Sequence, residues 1–170
     1  MEFQTLLESR RSVRSYDASK TVTREQIKEI VEAGKNSQTA RYYCVIDEAA
    51  KEKFAKECLP EFNINSSKGA GAYVITTFVA NRSGFDREGN PDNECGNGWG
   101  YYDLGLHNEN VILKAKELGL DTLVMGIRDG KKIREMLDIP ETEIIVAVGY
   151  GADAPAKPKR KQVDDILKFY

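Results

Sequence analysis

Two clusters of basic side chains are the residues in this sequence best suited to chemistry. Residues 10–14 read Arg-Arg-Ser-Val-Arg and supply three guanidinium groups and one hydroxyl, and residues 157–161 supply four more cations. Arginine binds phosphate oxygens in a bidentate manner, and a serine hydroxyl adds a further donor. The two clusters can converge on one phosphate if the fold brings them together. The alternative is that each is a solvated run of surface charge.

Other catalytic chemistries have little support in the residue types present. The three cysteines, Cys44, Cys58 and Cys95, are odd in number and widely spaced, which matches neither a disulfide framework nor a zinc site. Cys95 has no basic neighbour in sequence that would lower its pKa, so we expect it to be inert. The only histidine, His107, lies in a predicted helix. We expect a partly exposed or capped side chain there, not a member of a catalytic triad.

Two glycine-rich segments resemble nucleotide-binding motifs but fail in detail. Gly149 to Ala154 fits G-x-G-x-x-A, yet Pro155 and Pro158 disfavour the helix that this motif requires. Gly126 to Lys131 is one residue short of a P-loop and lacks the following serine or threonine. Both segments are therefore interpreted as turns.

The overall composition predicts one globular domain spanning residues 1–170. The net charge is −2, which disfavours a dedicated nucleic-acid-binding protein. No apolar run approaches the roughly 20 residues that cross a bilayer. The first residues also lack the apolar core of a signal peptide, so we expect a cytoplasmic protein with no membrane or nucleic-acid partner.

Hydrophobic periodicity and capping residues predict a mixture of helices and strands. Thr23 and Gln26 form a capping box, and Gly34 is expected to end that helix in a left-handed conformation. The predicted helices cover residues 1–10, 24–34, 48–59, 101–118 and 129–137, and the predicted strands cover residues 42–46, 73–80, 123–125 and 144–148. The elements do not alternate strictly, which favours an α+β fold. Residues 81–100, with five glycines, form a loop of unusual length.

Three segments together make the chain resemble the FMN-dependent nitroreductase family, from Leu6 to about Val163. The first is R-R-S-V-R-S-Y, ending at Tyr16. The second is the helix that runs from Asp103 through Gly105 and Asn110 to Gly119-Leu120. The third is I-I-V-A-V-G-Y-G, ending at Gly151, followed by a K-P-K-R tail. Their order and spacing are more specific than any one of them alone.

The resemblance implies an FMN cofactor held by both basic clusters. The matching residues are Arg10, Arg11, Ser12 and Arg14 in the first cluster and Lys159 and Arg160 in the second. It further implies that Arg14 faces the pyrimidine edge of the flavin and favours its anionic reduced form. The backbone of Met125 and Gly126 would pass near N5 of the flavin. Without the resemblance, Gly126 is simply a turn glycine after a strand.

The sequence departs from the family pattern before the first strand. Asn36 and Gln38 fit the family's N-x-Q, but Thr39 and Ala40 replace its Pro-Trp. A mid-chain contact to the flavin falls on Asn63, Asn65 or Lys68, and the sequence does not select among them. The glycine-rich loop, with Trp99 and Tyr101, is a candidate cover for the active site.

The implied fold is a mixed, mainly antiparallel sheet flanked by helices, in a homodimer with FMN at the interface. Residues 152–170 would form a tail that packs on the partner subunit. The implied activity is ping-pong hydride transfer from NADH or NADPH through flavin N5 to a nitroaromatic, quinone or similar electron-poor acceptor. Alternatives are a dehalogenase or dehydrogenase of the same fold, or a non-catalytic flavin-binding module. Because the flavin carries the chemistry, no catalytic side chain and no metal are expected.

Overall fold

A computed structural model of the chain describes residues 1–35, 39–139 and 143–169. The elements it contains are α1 (Phe3–Ser9), α2 (Arg24–Gly34), β1 (Ala40–Val45), α3 (Glu48–Cys58), α4 (Glu61–Ser66), β2 (Ala72–Phe78), α5 (Gly98–Glu117), β3 (Asp121–Met125), α6 (Gly130–Leu137) and β4 (Glu143–Gly149), followed by a 3-10 turn at Val163–Asp165. In this part of the chain no helix is both long and apolar enough to span a bilayer.

The strands form one sheet in the order β1-β2-β4-β3, and each neighbouring pair is antiparallel. A single parallel bridge joins Ser12 to Thr122 of β3, so the N-terminal segment lies beside the edge of the sheet. The predicted α+β fold with a mainly antiparallel sheet is therefore confirmed.

Helices cover both faces of the sheet, and the central strand β2 is therefore buried on both sides. Its alternate residues face opposite ways, as the pleat of a strand requires. Tyr73 and Ile75 join a core with Phe54 of α3 and Ile133 of α6. The opposite core is formed with α2 and α5 and includes Ala72, Val74, Ile30, Val111 and Ala115.

Capping residues set the helix boundaries where the sequence predicted them. Thr23 accepts from the backbone N–H of Gln26 at the start of α2, and Gln26 returns the bond, so the capping box is confirmed. Asp47 and Asp129 accept N–H groups in the first turns of α3 and α6. Gly119 has a φ of +77° directly after α5, as expected for a helix-ending glycine.

The expected left-handed cap at Gly34 is wrong. Gly34 is the buried last residue of α2, and its φ is not positive. A Cβ there would lie 2.5 Å from Val111 Cγ2 of α5 and 3.2 Å from the His107 carbonyl oxygen. The glycine is required by close packing between α2 and α5, which sequence periodicity does not report.

Two other element predictions also need correction. Helix α4, which has six residues and follows Pro60, was not predicted. Helix α5 begins at Gly98, three residues before the predicted start, and β2 ends at Phe78, so the loop between them covers residues 79–97. Between residues 157 and 169 the tail is exposed, and the helical turn described there is the 3-10 turn at Val163–Asp165.

Candidate functional site

The N-terminal basic segment is held at the sheet edge by backbone hydrogen bonds. The Val13 N–H donates to the Thr122 carbonyl at 3.1 Å. The Asp17 N–H donates to the Tyr150 carbonyl at 2.8 Å, and the Ala152 N–H donates to the Ser15 carbonyl at 2.9 Å. The basic segment therefore lies between β3 and the chain that leaves β4.

A cavity of about 750 Å³ opens beside this segment. Arg14, Asn65 and Lys68 all line it. Helix α3 forms another wall, with Lys51, Lys56, Glu48 and Glu52 among its lining side chains. The cavity thus joins the N-terminal cluster to two of the three mid-chain candidates.

Gly69 explains why Lys68 and Arg14 share one cavity. Its φ is +80°, and a Cβ would lie 2.7 Å from the carbonyl oxygen of Tyr16. Only glycine allows this conformation and this close approach of two backbone segments. The turn after α4 can therefore pack directly on the basic segment.

Asn63 does not belong to the cavity lining. Its side chain is buried, and its Nδ2 donates to the Ile127 carbonyl oxygen at 2.7 Å. Asn63 therefore ties α4 to the loop that follows Met125 and Gly126.

Two of the four candidates in the basic segment, Arg14 and Arg11, line different cavities. Arg14 lines the large cavity, and Ser12 is exposed. Arg11 instead lines a smaller cavity of about 210 Å³ with Asp121 and Pro155, at the start of the tail. Its Nη1 donates to the Arg10 carbonyl at 2.7 Å, while its buried Nε has no hydrogen-bond partner in the described part of the chain.

The remaining cofactor candidates are less closely joined. Met125 is buried and Gly126 is exposed, at the end of β3. Lys159 and Arg160 lie on the exposed tail. Arg160 Nη1 donates to the Lys159 carbonyl at 3.3 Å. Neither of the two cavities that Arg14 and Arg11 line includes Lys159 or Arg160. Asn36 and Gln38 lie outside the described residues.

The large cavity carries more cations than carboxylates, since Arg14, Lys51, Lys56 and Lys68 line it with Glu48 and Glu52. Arg10, Arg14 and Lys68 form no ion pair with a carboxylate in the described ranges. Nor do those ranges hold a group of three or more His, Cys, Asp or Glu side chains that could bind a metal ion. An arrangement of this kind can bind a multivalent anion through charge-assisted hydrogen bonds.

The sequence model of the nitroreductase family matches residues 7–152. The chain belongs to this family. The match contains the basic segment, the cavity lining, Met125 and Gly126, whereas Lys159 and Arg160 lie beyond it. A curated NADPH-dependent oxidoreductase of Staphylococcus haemolyticus (strain JCSC1435) is 27% identical over 162 residues, which are 87% of this chain and 64% of that protein. The chain thus spans less than two thirds of the length of this relative.

Solved structures with the nitroreductase fold superpose over nearly the whole chain. One, described as a nitroreductase in complex with FMN from Exiguobacterium sibiricum 255-15, has a TM-score of 0.84 at 18% identity and covers 100% of this chain and 98% of its own. The enone reductase CLA-ER, from a gut-bacterial fatty acid saturation metabolism, has a TM-score of 0.83 at 16% identity and covers 99% and 97%. At these identities the likeness shows the fold alone.

The environment of His107 differs from the one expected from the sequence. His107 is buried, not partly exposed, and its Nδ1 has no partner in the described residues. Burial lowers its pKa, although Asp103 opposes the shift.

Trp99, in the candidate cover loop, is half-exposed at the start of α5. It donates from Nε1 to Asn93 and contacts the ring of Tyr102 edge-on. The loop and α5 are therefore tied together, but a covering role stays a prediction.

Proposed function

We propose that this chain is an FMN-dependent oxidoreductase that takes electrons from NADH or NADPH. The observation that carries the proposal is the cavity shared by Arg14, Asn65 and Lys68, in a chain of the nitroreductase family. Two cations and an amide converge where the family resemblance expects the pyrimidine edge of a flavin.

The residues present fit an FMN molecule on two grounds. The basic segment offers Arg10, Ser12 and Arg14 as donors to a phosphate, and neither arginine forms an ion pair with a carboxylate in the described ranges. Arg11 lines the smaller cavity, so the same phosphate is proposed without it. A Cβ built on Gly126 would meet no atom within 4 Å, so the backbone at the end of β3 borders open space. A flat ring can approach such a backbone without a steric clash.

Each group of residues has a distinct task. Arg10, Ser12 and Arg160 would hold the phosphate, and Lys159 would add charge to the same site. Arg14 and Lys68 would place positive charge at the pyrimidine edge, where Asn65 supplies an amide. Positive charge there stabilises a reduced flavin that carries negative charge at N1 and O2.

A bound FMN would supply the redox chemistry, which is hydride transfer by way of N5 from NADH or NADPH to a nitroaromatic, a quinone or a similar electron-poor acceptor. The chain itself binds and orients, and no side chain has to act as a general base. The backbone at Met125 and Gly126 would face N5.

A homodimer completes this proposal. Phe3 and Leu7 of α1 and Tyr102 and Leu106 of α5 are exposed, and α1 packs against α5. An apolar patch of this kind favours a protein partner, here a second copy. The tail, whose Val163, Ile166 and Phe169 are also exposed, would pack on that copy and bring Arg160 to its flavin.

Acceptor screening tests the activity. Purified protein loaded with FMN is mixed with NADH or NADPH, and oxidation at 340 nm is followed with a nitroaromatic, a quinone or an enone. Rapid, acceptor-dependent oxidation supports the proposed reductase. Rapid turnover of only another acceptor class would favour different chemistry on the same fold, and bound FMN without turnover would favour a non-catalytic module.

A further inference from the structure

The loop after β3 is fixed by three hydrogen bonds from separate groups. Arg128 Nη1 donates to the Gly126 carbonyl at 2.6 Å. Asn63 Nδ2 donates to the Ile127 carbonyl at 2.7 Å. The Asp129 N–H donates to the Cys58 carbonyl at 2.8 Å. Residues 126–129 are thereby held against the end of α3 and against α4.

Asn63 ties the loop to α4, as the Cys58 carbonyl ties it to the end of α3. It is 7% exposed, and its backbone carbonyl accepts from the Ser67 hydroxyl at 2.7 Å. Its own N–H donates to the Pro60 carbonyl at 2.9 Å. A buried amide requires a partner, and here the Ile127 carbonyl provides it. The amide is therefore held by α4, and it adds a bond to the loop that the other two bonds do not supply.

We propose that Asn63 is a positioning residue that holds the backbone of residues 126–129 in the conformation that a bound flavin meets. The inference rests on the proposed function, because it assumes FMN beside Gly126. Asn65, two residues further on, lines the cavity, whereas Asn63 bonds to the loop after β3. One short helix therefore serves the flavin site in two ways, by contact and by support.

Loss of this support should change the midpoint potential of the bound flavin more than the affinity for FMN. The proposed affinity comes largely from the basic side chains that bind the phosphate, and the Asn63 side chain bonds to the Ile127 carbonyl and not to them. A backbone hydrogen bond near N5 stabilises oxidised and reduced flavin to different extents. A loop that moves would weaken that bond and shift the midpoint potential.

The experiment compares wild type with Asn63→Ala and Asn63→Ser. The serine hydroxyl can bond within α4 but is too short to reach the Ile127 carbonyl. In the protein without FMN, we expect amide hydrogen exchange at Asp129, whose N–H donates to the Cys58 carbonyl, to accelerate about five- to tenfold in both variants. With FMN, the relative affinity for its two redox states should change about three- to tenfold, which is about 15–30 mV for a two-electron couple. FMN affinity should stay within about threefold of wild type.

Glu61→Ala is the matched control. It removes an exposed carboxylate from the first turn of α4, outside the cavity lining, so it weakens the helix but leaves the Asn63 amide in place. We expect normal exchange at Asp129 and an unchanged potential. If Glu61→Ala reproduces the effects of the Asn63 variants, the role of Asn63 is general stability of α4 and the proposal is wrong.

Other outcomes separate this inference from the proposed function. Unchanged exchange and potential in both Asn63 variants would overturn the positioning role. A large loss of FMN affinity with normal exchange would make Asn63 a direct contact instead. If wild type binds no FMN, the proposed function fails, and the proposal for Asn63 at a flavin site fails with it. The exchange measurement would then still decide whether Asn63 holds the loop.

Discussion

At the scale of single residues, the site depends on where Arg14, Asn65 and Lys68 point. Each is a common surface residue, and each lines the same cavity. Sequence spacing could identify the basic segment as a candidate site, but it could not select among Asn63, Asn65 and Lys68. That choice depends on the register of α4 and on the close approach at Gly69, which are properties of the packed structure.

Removing the charge of Lys68 should weaken FMN binding. Lys68→Ala deletes a cation proposed to face the pyrimidine edge, and we expect a loss of about tenfold or more in affinity, the scale of a hydrogen bond to a charged group. Titration of the protein with FMN, followed by flavin fluorescence, measures it. Lys53→Ala is the control, because Lys53 is exposed on α3 and does not line the cavity. Equal affinity in the two variants would remove Lys68 from the site.

His107 should make stability depend on pH. Burial lowers the pKa of His107 in the folded chain below its ordinary value of 6.5. The unfolded chain therefore takes up a proton first as the pH falls through 6.5, and stability is lost down to the folded pKa. Chemical denaturation between pH 5 and pH 8 should show this slope in wild type, and His107→Gln should reduce it. An equal slope in the variant would contradict the buried, neutral histidine.

At the scale of elements, prediction succeeded where periodicity and caps agree. The helices α2, α3 and α6 begin within one residue of their predicted starts, directly after the N-cap residues Thr23, Asp47 and Asp129. Helix α4 was missed because its six residues are too few to show a helical period, and short helices depend on tertiary packing. The missed element is the one that carries Asn63 and Asn65, so the sequence analysis lost the link between the cavity and the loop.

The contact between α2 and α5 should be sensitive to a single methyl group at Gly34. Gly34→Ala places Cβ 2.5 Å from Val111, and overpacking of this kind costs about 1–3 kcal/mol. Urea denaturation measures the change in the free energy of unfolding. Gly98→Ala is the control, because its Cβ would meet Cys95 at an ordinary 3.6 Å. A neutral or stabilising Gly34→Ala would contradict the close packing.

At the scale of the whole molecule, the two basic clusters have different surroundings in a single chain. The N-terminal cluster is fixed at the sheet edge, while Lys159 and Arg160 lie on an exposed tail. The sequence suggested that the clusters converge, and the family resemblance adds a second subunit as the means. No local pattern in one chain reports a contact with another copy, so this part of the account stays a prediction.

Arg160 should contribute to FMN binding without contributing to the stability of the fold. Arg160→Ala is expected to lower FMN affinity by about 1.5–3 kcal/mol, as is Arg10→Ala. Because Arg160 is exposed, its thermal unfolding without FMN should not change. Lys168→Ala is the control on the same tail. Unchanged affinity in both arginine variants would exclude the proposed phosphate site.

The most direct test of the flavin proposal is the visible absorption spectrum of the purified chain, recorded before and after addition of FMN and gel filtration. The account predicts a flavin band that elutes with the protein, at about one FMN per chain, and a spectrum distinct from that of free FMN. A colourless protein that also fails to retain added FMN would contradict it. The basic clusters would then be ordinary surface charge, on a nitroreductase fold that works without this cofactor.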